Sequence, residues 1–228
     1  MVTQTHRLPL LFIALSVTLL SCIQTSAPDR TKRFTLRFSA DDLGSELIQA
    51  GDTLRINRIV FHVPGFEART TDDQIITSLQ PFFIDYDEGN LGLNISILSE
   101  DLGFLETDGY NFFQFSVDTV SAFQTNQNPI LFRDTRFFSI FLDMQWNNDD
   151  FEFRTQLKRD VEFNFSSVAY SEENETMEFT LTMQPYSWFI DANADTLIDP
   201  TNLFNGRQID NNIFDAAELE VRPTTVFQ

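Results

Sequence analysis

The sequence predicts an all-β fold, an antiparallel β-sandwich with a short C-terminal helical segment, on three observations. Apolar and polar residues alternate with period two over many short runs, the pattern of strands buried on one face. Clusters of Asp, Asn, Gly and Pro separate those runs and favour turns. Phenylalanine is the compositional outlier, at 25 residues against 8 glycines, and its large ring suits a pleated, half-buried surface.

The elements follow in chain order. Phe34-Thr35-Leu36-Arg37-Phe38 sets three apolar residues against two polar ones. Residues 54–63 continue the alternation, with a phase shift near Arg58 that predicts a β-bulge. Further strands are expected over 93–98, 111–117, 137–144, 151–157, 161–165 and 177–183. Asn147-Asn148-Asp149-Asp150 reads as a hairpin turn between two of them, and Pro64 and Pro81 mark strand ends. Helix is expected at 211–219 and at 72–79. The phenylalanines at alternating positions read as core. Trp146 and Trp188 either cap the core at an end of the sandwich or contact carbohydrate or membrane.

The N-terminus points to export. His6 and Arg7 precede an almost unbroken apolar stretch over 8–20. Such a stretch is shorter than the roughly 20 apolar residues that span a bilayer, and it fits the hydrophobic region of a secretory signal. Leu19-Leu20-Ser21 then leads into Cys22, the one cysteine of the chain, as in the lipobox of bacterial prolipoproteins. Residues 1–21 are therefore expected to be a lipoprotein signal peptide, 22–30 a tether acylated at Cys22, and 31–228 a single β-sandwich domain. Ile23 rather than Asp follows the cysteine, which favours a lipid anchor in the outer membrane, on its periplasmic face.

Charge narrows the partners. The formal net charge is −19, with 34 acidic residues against 15 basic ones, so nucleic acid has no basic surface to bind. A surface of this kind attracts cations or serves solubility. A lone cysteine excludes a disulfide framework and a thiolate metal site. His62 is the one histidine beyond the signal, which argues against zinc and copper centres. It also argues against a Ser-His-Asp triad, for which no Gly-x-Ser-x-Gly elbow is present. Scattered carboxylates leave a glycosidase-like pair open, because such a pair is defined by separation rather than by sequence.

The strongest chemical signal spans 191–202. Asp191, Asn193, Asp195, Asp199 and Asn202 place oxygen side chains at positions 1, 3, 5, 9 and 12. Leu197 would supply a backbone carbonyl, as calcium loops do. The pattern resembles the loops of EF-hand and dockerin modules, with Thr196 where they carry a turn glycine and Asn202 where they carry a bidentate acid. A weak calcium site is expected, with an acidic loop of Asx turns as its alternative.

A wider resemblance rests on several short motifs. The lipobox, Phe-x-Leu-x-Phe, and Asp52-Thr53-Leu54-Arg55-Ile56 before Phe61-His62-Val63 resemble uncharacterised β-sandwich envelope lipoproteins of Gram-negative bacteria. Trp188-Phe189, 197–202 and Ile209-Asp210-Asn211-Asn212-Ile213 are similar to the end of that group. The hairpin around 143–153 is more distantly similar to methanobactin-associated periplasmic copper proteins. Their histidine-rich sites have no counterpart here, so copper chemistry is not implied. The resemblance implies fold and envelope location. The expectation is a non-catalytic binding or structural protein with an unknown protein or glycan partner. The rival is a small carbohydrate hydrolase using a carboxylate pair, and a third possibility is an assembly protein that pairs through a strand edge.

Overall fold

The computed structural model describes residues 33–78, 80–87, 92–98, 109–169 and 176–224; the expected signal, Cys22 and the tether lie outside them. Strands β1 (Arg33–Ala40), β2 (Glu46–Gln49), β3 (Asp52–Val63), β4 (Gly65–Thr70), β5 (Ile75–Ser78) and β6 (Phe82–Asp87) come first. They are followed by β7 (Gly92–Leu98), β8 (Tyr110–Val117), β9 (Phe132–Arg133), β10 (Arg136–Phe137), β11 (Ile140–Trp146) and β12 (Asp149–Thr155). Next come β13 (Arg159–Val168), β14 (Thr176–Met183), β15 (Ile190–Asp191) and β16 (Thr196–Leu197). Helix α1 (Gly206–Asn212) and β17 (Glu218–Thr224) complete the described chain.

Three sheets make the sandwich, in the orders β17-β14-β1-β7, β12-β11-β3-β2 with β6 also on β3, and β13-β8-β4-β5. Among the described strands, pairing is antiparallel except between β1 and β14. The alternation that predicts the strands is the alternation that buries them. Leu36, Phe38 and Ala40 point inward from β1, and Leu54, Ile56, Ile59, Phe61 and Val63 from β3. The expected bulge is present: Arg58 pairs with Asp143 but Ile56 with Met144, so Asn57 is the extra residue that restores the inward phase. The β11–β12 hairpin turns on Asn147 and Asn148, at φ +52° and +69°, the left-handed pair that a two-residue primed turn requires. Asn147 holds it by accepting from Thr53 N–H at 2.8 Å and donating to Asp52 at 3.0 Å.

Phenylalanine rings knit the sheets together. Phe38 lies 6.2 Å from Phe61 and 5.6 Å from Phe115, so β1, β3 and β8 meet at one side chain. Phe113 lies 5.3 Å from Phe179, joining β8 to β14. Each ring fully buried in this way contributes about 1.5–3 kcal/mol. Trp146 and Trp188 belong to the same core, at 8% and 1% exposure, and thus play the packing role. Thr31–Gln228 form one compact unit.

Two expectations need correction. Of the helix expected over 72–79, the described residues 72–78 do not form one: 75–78 are β5, because Ile76 is buried between exposed Ile75 and Thr77, a period of two. The C-terminal helix covers Gly206–Asn212 instead of 211–219. It ends where Phe214 turns inward at φ +67° with 4% exposure. Residues 218–224 then pair with β14 as β17.

Candidate functional site

The 191–202 loop is built on the two-residue ladder of β15 and β16. Asp191 Oδ1 accepts from the backbone N–H of Asn193 at 2.9 Å and of Ala194 at 3.3 Å. That backbone donation, foremost from Asn193 and then aided by the Gln208 side chain, holds the Asp191 carboxyl below its ordinary value. Asp195 Oδ1 accepts from Gln49 Nε2 at 2.7 Å, tying the loop to β2. Asp199 Oδ1 accepts from Thr201 N and Oγ1 at 2.8 and 2.7 Å, and Asn202 Oδ1 accepts from Phe204 N at 3.1 Å. Leu197 is buried, whereas Asn193 is exposed. The structure therefore turns Asp191, Asp199 and Asn202 onto backbone N–H groups and Asp195 onto the Gln49 side chain. Among the described residues, no three His, Cys, Asp or Glu side chains form a metal-holding group.

Next to these pinned groups stand two that are not. Leu203 and Phe204 are 94% and 93% exposed, on the single helical turn Leu203–Asn205 that leads into α1. The sequence carries the signal for them, an isolated Leu-Phe between Asn202 and Asn205 with no alternating partner.

His62 is 2% exposed and faces away from the main core, toward the segment 118–139. Its Nδ1 lies 2.9 Å from the carbonyl oxygen of Asp118, and its Nε2 lies 3.0 Å from Gln124 Nε2. A carbonyl can only accept, so Nδ1 carries the hydrogen. Gln124 Oε1 accepts from Ser121 N and Oγ at 2.8 and 2.7 Å, so its amide group must donate to Nε2. The ring is thus neutral, and burial pushes its pKa down, against a smaller opposing effect of Asp118. Single-sequence reading marks His62 but not its partners, which lie 56 and 62 positions away.

Carboxylates also meet on the outer face of the second sheet. Asp143 sits directly between Arg58 and Glu152 in register. Burial, then Asp150 and Glu152, push the Asp143 carboxyl up, whereas the Arg154 hydrogen bond foremost holds Glu152 down. Cavities of about 190 Å3 beside Glu67 and Ser116, and of about 240 Å3 beside Glu46 and Tyr186, include neither acid. Both are smaller than the roughly 300–1,000 Å3 usual for ligand pockets.

No family model matches the sequence, and no curated protein matches it. Among solved structures, MbnP from Methylosinus trichosporium is similar at a TM-score of 0.41 and 9% identity, over 86% of this chain and 99% of that one.

Proposed function

We propose that the protein is a non-catalytic, lipid-anchored binding and structural protein of the Gram-negative envelope. It is held at Cys22 on the periplasmic face of the outer membrane and meets a protein or glycan partner through residues 191–205. The export-like stretch and Leu19-Leu20-Ser21-Cys22 support the anchor. The observation that carries the binding role is the exposure of Leu203 and Phe204 beside a loop whose oxygens are tied down. Burying two such side chains against a partner returns about 1.5–3 kcal/mol each, and a loop already fixed loses little entropy on binding.

A photoreactive phenylalanine at position 204, in cells, tests the contact. A discrete adduct that is lost with Leu203→Asn and absent from a probe at Glu162 on β13 is expected; identical patterns at 204 and 162 would refute it. Palmitate labelling tests the anchor: Cys22→Ser should abolish the label and release the protein from membranes.

Calcium binding by 191–202 belongs to the same proposal. An ion would draw on Asp191, Asn193, Asp195, the Leu197 carbonyl, Asp199 and Asn202, displacing the Gln49 and Thr201 bonds. Weak affinity follows, roughly 10⁻⁴–10⁻³ M. Calorimetric titration should show saturable heat that Asp191→Ala/Asp195→Ala removes, and flat traces from both proteins would reject it.

The rival hydrolase reading rests on Asp143 and Glu152, whose carboxyls are pushed in opposite directions as acid and base roles require. Their place on an open sheet face ranks it second. Glycan cleavage that Asp143→Asn abolishes would promote it.

A further inference from the structure

We propose that His62 is the pin of a proton-operated latch, which fastens the segment 118–138 over the outer face of β3 and β11 and releases it on protonation. The inference concerns another part of the molecule from the 191–205 loop and stands independently of that reading.

The segment joins β8 to β11 and closes a second, small core. Val120 and Leu131 from the segment pack on Val60 of β3 and Phe141 of β11, all 2% exposed or less, with Phe83, Ile130, Phe137 and Phe138 around them. This core is separate from the one that holds the three sheets together. The first turn of the segment can therefore lift without disturbing the sandwich.

Its first turn is fastened to His62 at both ring nitrogens, and the chain of bonds runs in one sense. Ser121 N–H donates to Gln124 Oε1, Gln124 Nε2 donates to His62 Nε2, and His62 Nδ1 donates to the Asp118 carbonyl. The Gln124 backbone N–H closes the turn on Ser121 O at 3.0 Å. A proton added at Nε2 sets N–H against the Gln124 amide N–H. Rotating that amide to offer its oxygen brings its NH2 group against Ser121 N–H instead. Either way a donor faces a donor, so the imidazolium and the closed turn exclude each other.

The other groups around the ring do not provide an escape. From the segment, the Asp118 carboxylate would welcome a cation, but Lys158 Nζ at 2.8 Å and Thr119 N–H at 2.7 Å already occupy it. From β6, the neighbour is the Phe83 ring at 5.2 Å, and the next outward charge, Asp85, is held by Arg58 through two bonds. Toward β11, Ser139 accepts the His62 backbone N–H and gives its hydroxyl to Thr155 O. Burial of the ring favours its neutral form, in agreement with its lowered pKa.

The sign follows. The closed state binds a proton more weakly than the open state, whose histidine titrates near 6.5. Below about pH 6.5, each pH unit shifts the open-to-closed ratio about tenfold toward open, until the closed-state pKa is reached. Opening uncovers Val60 and Phe83 as an apolar surface on the sheet.

Amide hydrogen exchange between pH 8 and 5 in the full chain carrying Cys22→Ser, corrected for intrinsic rates, tests the latch. Opening measured at Val120, Gln124 and Gln127, whose N–H groups bond at or across the first turn, should rise about tenfold per pH unit below 6.5, while Phe113 and Leu142 stay constant. Gln124→Glu should reverse the dependence, because a carboxylate accepts from the imidazolium and from Ser121 together. His62→Gln should make opening independent of pH in this range. Opening that is flat in the wild type, a wild-type dependence in Gln124→Glu, or an Nε2–H tautomer in the imidazole nitrogen spectrum would overturn the proposal.

Discussion

Phe214 offers the sharpest test of how the C-terminal segment is bound. Its ring lies 5.5 Å from Phe61, 5.4 Å from Phe115 and 5.5 Å from Trp188, so it joins two sheets to the turn before β15. It does so from φ +67°, where a Cβ costs roughly 1–2 kcal/mol. Aromatic pairs worth about 0.5–1.5 kcal/mol each, with burial of the ring, offset that strain. Phe214→Ala removes the ring but keeps the Cβ and its strain, so the loss should be about 3–5 kcal/mol. Near 200 residues this lowers Tm by about 10 °C, with an unchanged urea m-value. Phe214→Gly loses the same contacts but relieves the strain. It should be at least as stable as Phe214→Ala, the reverse of the usual order, in which glycine is worse by about 0.5–1 kcal/mol. Urea and thermal melts of the three proteins decide the matter. An alanine variant within 1 kcal/mol of the wild type, or a glycine variant clearly below alanine, would refute this account (thresholds set by the usual spread of such values).

Other consequences can be measured on the same samples. Ala50 holds φ +53° beside Gly51 at φ +97° in the exposed β2–β3 turn, so Ala50→Asn should raise stability by about 0.5–1 kcal/mol in urea melts. A Cβ on Gly109 would lie 2.5 Å from Val168 O and 2.9 Å from Ala169 Cα. Gly109→Ala must therefore push β8 from β13, costing about 1–3 kcal/mol in the same melts. With a net charge of −19, raising NaCl from about 50 to about 500 mM should raise Tm by screening repulsion, and a fall would show that ion pairs outweigh it.

The strands expected over 34–38, 54–63, 93–98, 111–117 and 177–183 were legible because they depend on local alternation, whereas β2, β4 and β6 were not anticipated. Phe34 to Phe38, the bulge at Asn57 and the Asn147-Asn148 turn all express period two and turn chemistry that a single chain displays. Short β5 failed for the opposite reason: four residues with an acidic, Gln-containing approach look as helical as extended until β4 is beside them. The helix boundary failed because Phe214, a poor left-handed residue, is held there by rings from positions 61, 115 and 188. The candidate sites divide similarly. The oxygen spacing of 191–202 was visible, yet the same residues that ligate ions also make Asx turns, and only geometry shows those bonds. His62 was visible as a lone histidine, whereas Asp118 and Gln124 become its partners only when the segment folds back.

The two ends of the 118–138 segment are fastened by different chemistry, and this decides how it can move. At the far end, Glu152 accepts from Arg154 at 2.7 Å and also from Arg133 of β9. Arg154 reaches across to Phe141, its guanidinium 4.6 Å from the ring centre. The Arg154 hydrogen bond foremost, with the charges of Arg154 and Arg133, holds the Glu152 carboxyl below its ordinary value, so it stays ionised throughout the range in which a histidine titrates. At the near end the bonds to His62 are neutral and buried, and the accompanying Lys158–Asp118 pair lies on a lysine 81% exposed, too wet to hold the turn alone. Mild acid thus unfastens the near end and leaves the far end closed, whereas salt weakens the far end and leaves the near end intact. A segment tied through the chain to β8 at one end and pinned at β9 and β10 at the other opens at its first turn instead of detaching, and Phe123, 92% exposed, lies on that turn.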